Sequence, residues 1–422
     1  MLKWCMLLVL IVFINHSVSA QKDTIRIMQY NLLNYGNAAN PVSYKNIRLK
    51  TIVQYVNPDI FGANEIRNLS TLPQEITDSV LGAGWSHGTY MNTNNEVQVN
   101  MLFWKTAKFG LKSQVSISHQ LRDIIAFNLY YKDTITHPHD TVFLTVIVAH
   151  LRASNTSQDA ASRAAETQTV VDYLDNLNKG GNYIFMGDMN LYTSNEDAYQ
   201  NIVTNPNLKA RLYDPINRPG DWSGDASFSD IHTQSTRSGS LSDGGASGGL
   251  DDRFDHQVVS GFIMNDSAGV KYIPGTYHTA GQDGQHFNKS VNASPVNAAV
   301  PANVAQALYE MSDHLPVYAN YQITPGYQPA SGSGIEQVLL TADAVQVVNP
   351  VHDVLDIRWN NNLAGHKLHL QLFSLMGRPV FEADEMVTEL HRQTQINAAA
   401  GMYLLYITDD KGNRIVKKLL AE

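Results

Sequence analysis

Between residues 21 and 324 short runs rich in Val, Ile, Phe and Tyr are separated by polar segments, a pattern that predicts β-strands. Residues 24–30 alternate apolar and polar. Residues 99–104 and 124–131 are apolar and aromatic, 141–149 form a nearly unbroken apolar run, and 183–186 and 257–259 are shorter examples. Two segments read as helices: 44–56, and more strongly 157–178, where Ala, Glu, Gln and Leu dominate. Strands with interspersed helices and few simple βαβ alternations predict a layered α/β or α+β sandwich.

The two ends of the chain read differently. Residues 1–20 carry Lys3, an apolar run over 4–14 and the small residues Val18, Ser19 and Ala20, the layout of a cleavable secretory signal. That run is too short to span a bilayer, and no later stretch approaches the length of a membrane helix. Pro, Gly and Ser accumulate over 325–338 and predict a connector. Beyond it, 339–422 is β-rich, with alternating runs at 354–359, 367–373, 402–408 and 415–420, the pattern of a small all-β sandwich. The expected organisation is therefore a signal peptide (1–20), a large unit (21–324), a linker (325–338) and a β unit (339–422).

Composition narrows the class. The chain has 422 residues, 43% hydrophobic and 16% charged, which suits a globular protein with a sizeable core. Its single cysteine, Cys5, excludes an intrachain disulfide and falls in the segment expected to be removed. Without Lys3 the basic count falls from 30 to 29 against 39 acidic residues, a net charge of −10. Such acidity argues against binding nucleic acid through a broad basic face, yet it is compatible with a metal-bearing cleft.

The chemistry lies where strands end. Asn31 follows the first strand, and Glu65 follows 59–62. His150 closes 141–149, and Asp188 and Asn190 follow 183–186. Asp255 precedes 257–259, and Asp313 and His314 precede Pro316. Strand termini share a rim of a sheet, so these residues are expected to converge on one pocket. Asp188 and Asn190 flank Met189 and would point the same way in an extended segment. A Gly/Ser-rich stretch over 219–250 carries Asp221, Asp225, Asp230 and Asp243; it reads either as a long surface loop or as a substrate-covering or calcium-holding one.

In this order the motifs resemble the endonuclease/exonuclease/phosphatase superfamily, over roughly residues 24–323. Gly187-Asp188-Met189-Asn190 is similar to its GD-x-N strand end, and Ser312-Asp313-His314-Leu315-Pro316-Val317 to its SDH-x-PV terminus. The resemblance implies a four-layered DNase I-like sandwich of two sheets flanked by helices. It implies Glu65 as the principal ligand for Mg²⁺ or Mn²⁺, with Asn31 and Asp313 beside it and Ca²⁺ as an alternative ion. It further implies that Asp188 and Asn190 orient the attacking water, that Asn190 also contacts the phosphate, and that His314, held by Asp255, is a base or stabilises the phosphorane. His150 would bond the phosphate or protonate the leaving oxygen, and Arg122, just before the 124–131 strand, reads either as a phosphate clamp or as a partner in a surface salt bridge. Two departures stand out: Asn64 replaces the family's glutamine, and the tyrosine and acid that support the second histidine in the DNase I branch have no counterpart around 96–104.

The β unit also carries a resemblance. Val348-Asn349-Pro350, Leu355-Asp356-Ile357, Leu372 to Arg378, Gly401 to Ile407 and Lys417-Lys418-Leu419 are similar to the type IX (Por) secretion sorting domain of Bacteroidetes. It implies passage through the periplasm, handling by the type IX secretion machinery, and a secreted or cell-surface location. The expected function is an exported, metal-dependent phosphodiesterase acting on DNA or RNA, working as a monomer. A sphingomyelinase-like lipid or inositol phosphate hydrolase, and a non-catalytic surface-binding protein, are the alternatives.

Overall fold

Side chains on β1 (Asp23–Tyr35) alternate between two cores: Ile25 and Ile27 face one, Met28, Tyr30 and Leu32 the other. The computed structural model describes residues 22–118, 121–132, 141–327, 340, 344–360, 363, 366–409 and 414–422. The expected signal segment and all of the expected linker except 325–327 lie outside the described residues.

The remaining strands of the large unit are β2 (Ile60–Arg67), β3 (Trp85–His87), β4 (Gln98–Lys105), β5 (Phe109–Ser118), β6 (Ile124–Tyr131), β7 (Phe143–His150), β8 (Tyr183–Asp188), β9 (Leu212–Tyr213), β10 (Asp255–Ser260), β11 (Val270–Tyr272), β12 (His278–Thr279) and β13 (Val317–Ile323). They form two sheets, ordered β11-β13-β1-β2-β4-β3, with β12 joined to β13, and β5-β6-β7-β8-β10-β9. Most neighbours are antiparallel. The exceptions, β1 with β2 and β7 with β8, are each linked by a crossover helix, Val42–Val56 and Ser157–Leu177.

The sheets stack through one apolar core built from both, with Ile27, Ile60 and Leu102 against Phe127, Val148 and Met186. The outer face of the first sheet is covered by helices Val42–Val56 and Ala302–Met311, that of the second by Ser157–Leu177 and Asp197–Val203. The result is the expected four-layered sandwich, helix, sheet, sheet, helix. Both layers of helix bury one apolar stripe, and the Thr156 side chain caps the longest helix by accepting from Asp159 N.

The β unit contains β14 (Val345–Val347), β15 (Val354–Trp359), β16 (Lys367–Ser374), β17 (Pro379–Met386), β18 (His391–Gln395), β19 (Gly401–Asp409) and β20 (Arg414–Ala421), in sheets ordered β14-β15-β18 and β17-β16-β19-β20. Residues of both sheets, among them Leu355, Ile357, Leu370 and Leu405, share one core. Strands β17 and β18 escape the sequence pattern because they are charged and largely exposed. Among the described residues no helix is long and apolar enough to cross a membrane.

Candidate active site

Register brings the strand ends together. His150 at the end of β7 lies directly beside Asp188 at the end of β8, and Asp188 lies directly beside Asp255 at the start of β10. Three residues far apart in sequence therefore form one row along the rim of the second sheet. On the first sheet Asn31 pairs with Asn64, and the 312–314 segment leads into β13, the other neighbour of β1.

Gly187 allows this row to form. A Cβ at that position would lie 1.8 Å from the Ala149 carbonyl oxygen, so only glycine lets β7 and β8 approach at their ends. Glu65 reaches the cleft through a different device. The ladders of β2 with β1 and with β4 both slip there, and Glu65 adopts a left-handed backbone with φ 56°. Such a bulge turns a side chain away from the face that simple alternation would assign it.

The cleft has a volume of about 330 Å³ and is lined by Glu65, Arg122, His150, Asp188, Asn190, Asp313 and His314, together with Leu33, Asn34, Gln98, Ser154, Tyr192, Gln234, Gly244, Ala246 and Phe254. Asn31 and Asp255 stand immediately behind this wall. The Asn31 amide donates to Asp188 Oδ2 at 2.9 Å and to Glu65 Oε1 at 3.1 Å, while its own oxygen accepts from Leu33 N. It thus ties the two carboxylates together. Asp255 Oδ2 lies 2.7 Å from His314 Nδ1. Asn190 donates from its backbone to Asp188 Oδ1 and from its side chain to the Leu151 carbonyl.

Several neutral partners had no sequence signal. Gln98 donates to Glu65 Oε2 at 2.9 Å and accepts from Arg122 Nε at 3.1 Å. The Gln234 amide lies 2.6 Å from His314 Nε2 and 3.3 Å from Asp313 Oδ2. Asn64, the departure from the family glutamine, accepts from the Asp188 backbone and donates to Asn100 and the Ala149 carbonyl, so it steadies the strand end from behind. Arg122 also donates to the His150 carbonyl and, among the described residues, forms no ion pair with a carboxylate.

Electrostatics divide the two histidines. Burial, with Arg122 and His314 adding to it, holds the His150 ring well below the usual histidine range, so it is neutral. Burial opposes charging His314 too, but Asp255, Asp188 and Asp313 outweigh it and hold that ring well above the usual range. Burial pushes Asp188 up to about 7, with His314 pulling the other way, and burial and Asp313 raise Glu65.

The residues fit a divalent cation. Ligand atoms of Glu65, His150 and Asp188 all lie within 4.8 Å of one another. His150 Nδ1 and Asp313 Oδ1 are buried with no hydrogen-bond partner among the described residues. The set expected from the resemblance, Asn31, Glu65 and Asp313, shares Glu65 with this cluster. Carboxylate oxygens suit Mg²⁺ or Mn²⁺, and the imidazole favours the latter of the two. The calcium-holding reading of 219–250 finds no support: Asp225 caps a turn, Asp230 pairs with Arg218 and Asp243 pairs with Arg237.

Residues 349–422 match the family described as the Secretion system C-terminal sorting domain. The C-terminal unit is a sorting domain. It directs the chain by type IX secretion to the cell surface or the extracellular space. No curated protein matches the chain. Among solved structures it is similar to an endonuclease/exonuclease/phosphatase family protein from Bacteroides thetaiotaomicron, at 15% identity and TM-score 0.47, covering 74% of this chain and 100% of that one. It is also similar to a second endonuclease/exonuclease/phosphatase, from Bacteroides vulgatus, at 15% identity and TM-score 0.47, with 71% and 99% covered. A mannosyl-6-phosphatase of Bacteroides thetaiotaomicron gives 14% identity and TM-score 0.45, with 70% and 99% covered. No residue of the sorting domain lines the cleft.

Proposed function

We propose that the chain is an exported phosphoric ester hydrolase that cleaves phosphodiesters of extracellular DNA or RNA with the aid of a divalent cation. The observation that carries this reading is Asp188: one buried carboxylate faces His150 at 3.4 Å, His314 at 3.5 Å and the Asn31 amide at 2.9 Å. A structural role does not require two imidazoles around one carboxylate beside an arginine that has no carboxylate partner among the described residues.

Phosphodiesters are anionic and resist attack by water, so the site must absorb charge and supply a base. Asp188 and Asn190 orient the water. His314, fixed on its Nδ1 side by Asp255 and held in its charged form, directs Nε2–H at the phosphoryl group and stabilises the charge that develops there, while Asp188 takes the proton of the water. Arg122 binds a non-bridging oxygen, and neutral His150 donates a hydrogen bond to the phosphate or the leaving oxygen. Glu65, with Asp188 and Asp313 close by, would hold Mg²⁺ or Mn²⁺, which when bound supplies Lewis-acid neutralisation of the phosphoryl charge.

The test is hydrolysis by the exported chain of plasmid DNA, RNA, sphingomyelin and bis-p-nitrophenyl phosphate in Mg²⁺, Mn²⁺ or Ca²⁺, before and after EDTA. Nucleic acid is cleaved and chelation abolishes cleavage. Cleavage of sphingomyelin without nucleic acid overturns the substrate, and inertness toward all four overturns the reading. Glu65→Gln weakens Mn²⁺ binding in a calorimetric titration, a result independent of turnover.

A further inference from the structure

The Gly/Ser-rich segment 238–249 is exposed along most of its length, yet Gly244 and Ala246 form part of the cleft wall. Backbone bonds tie its two ends, Ser238 N to Ser290 Oγ and Gly249 N to the Arg237 carbonyl, and between them the segment is held by a charge. Asp243 Oδ2 lies 2.6 Å from Nη1 of Arg237, whose side chain is fully buried. Arg237 Nε donates to the Tyr309 carbonyl at 2.9 Å, and the buried Lys45 Nζ donates to the Met311 carbonyl. Both side chains therefore sit at the carboxyl end of helix Ala302–Met311, where the helix dipole favours the positive charge of Arg237. That helix runs straight into Ser312-Asp313-His314.

From this anchor the segment turns back to the site. Gly245 N donates to Asp243 Oδ1, Ala246 N donates to Asp313 Oδ2 at 2.7 Å, and Ser235 Oγ donates to the Ala246 carbonyl at 2.8 Å. At Gly245 a Cβ would lie 2.7 Å from Arg237 Nη1 and 3.1 Å from Asp313 Cβ, so the strap packs directly on both. Asn40 completes the hold by donating to the Asp243 carbonyl.

The geometry points to Asp243 as a positioning residue: its ion pair with Arg237 latches the strap so that the Ala246 N–H holds Asp313 Oδ2 and leaves Oδ1 without a hydrogen-bond partner among the described residues. The consequence for turnover rests on the hydrolase reading above; the latch itself does not. A glycine-rich strap has high conformational entropy, and its charged anchor on a buried arginine adds to the neutral hydrogen bonds that order it.

Hydrogen exchange and steady-state kinetics on the full chain test this, with Asp243→Asn, Asp243→Glu and Leu241→Ala. Asp243→Asn raises exchange across 243–247 about tenfold or more while β1, β8 and β10 stay protected, and lowers kcat on bis-p-nitrophenyl phosphate about tenfold with KM within about twofold. Asp243→Glu restores part of both, and Leu241→Ala changes neither. Where Asp243→Asn does not fold, Asn40→Ala, which removes only the Asp243 carbonyl contact, raises strap exchange in the same direction. Unchanged strap exchange overturns the latch, and faster exchange with unchanged kcat overturns its positioning role. A wild-type chain inert toward every ester overturns the hydrolase reading instead, and exchange at Ala246 alone then decides the latch.

Discussion

His314 Nδ1 lies 2.7 Å from Asp255 Oδ2, across 59 positions of sequence and between the two sheets' rims. The contact determines which ring nitrogen faces the cleft. With Nδ1 engaged, Nε2 alone is directed toward Asp188 and Gln234.

Asp255→Asn keeps the shape of this pair but removes its charge. The histidine loses the carboxylate that orients its ring and does most to keep it charged, so kcat falls by about two to four orders of magnitude with little change in KM. Steady-state kinetics on a chromogenic diester check this, with circular dichroism confirming the fold.

Gly187→Ala tests the close approach of β7 and β8. The new Cβ would lie 1.8 Å from the Ala149 carbonyl oxygen, which forces backbone to move. The expected cost is about 1–3 kcal/mol in denaturant unfolding, accompanied by loss of activity, because His150 and Asp188 follow directly on the displaced residues.

Acid stability depends on buried neutral histidine. His256 is held down to about 3 by burial and by Arg253, while His232 and His150 shift in the same direction. Below the unfolded value of about 6.5 the unfolded chain takes up a proton that folded His256 refuses, so stability falls as pH drops toward about 3. The slope from this one group is up to about 1.4 kcal/mol per pH unit. His256→Gln flattens the decline, as measured by urea unfolding between pH 7 and 4.

Removal of 349–422 separates export from chemistry. The truncated chain stays behind the outer membrane while its hydrolytic activity in lysate is retained. Immunoblots of culture medium and cell fractions check the first part and a plate assay the second.

The strands that carry the site were legible because their apolar runs are long and bounded. The run read at 124–131 matches β6, and the segments read at 141–149 and 183–186 extend as β7 and β8 to the site residues themselves. The short strands β3, β9, β11 and β12 were not, since two or three residues hold no periodicity. The residues expected at the site do converge, with Asn31 and Asp255 a layer behind the wall. Gln98 and Gln234 were invisible because a neutral amide is common on any surface and acquires meaning only from the carboxylate or imidazole it touches.

Local chemistry, then, was encoded along the chain: alternation specified two-faced strands, and polar residues at their ends marked one rim. What the chain's local pattern does not contain is lateral register, which pairs His150 with Asp188 and Asp188 with Asp255. Nor does it contain the left-handed turns at Leu33, Asn34, Glu65, Ser154 and Asn190, all at the cleft, where packing holds side chains in conformations that local preference disfavours. Both arise from contacts between residues far apart in sequence, and such contacts exist only once the sheets have stacked.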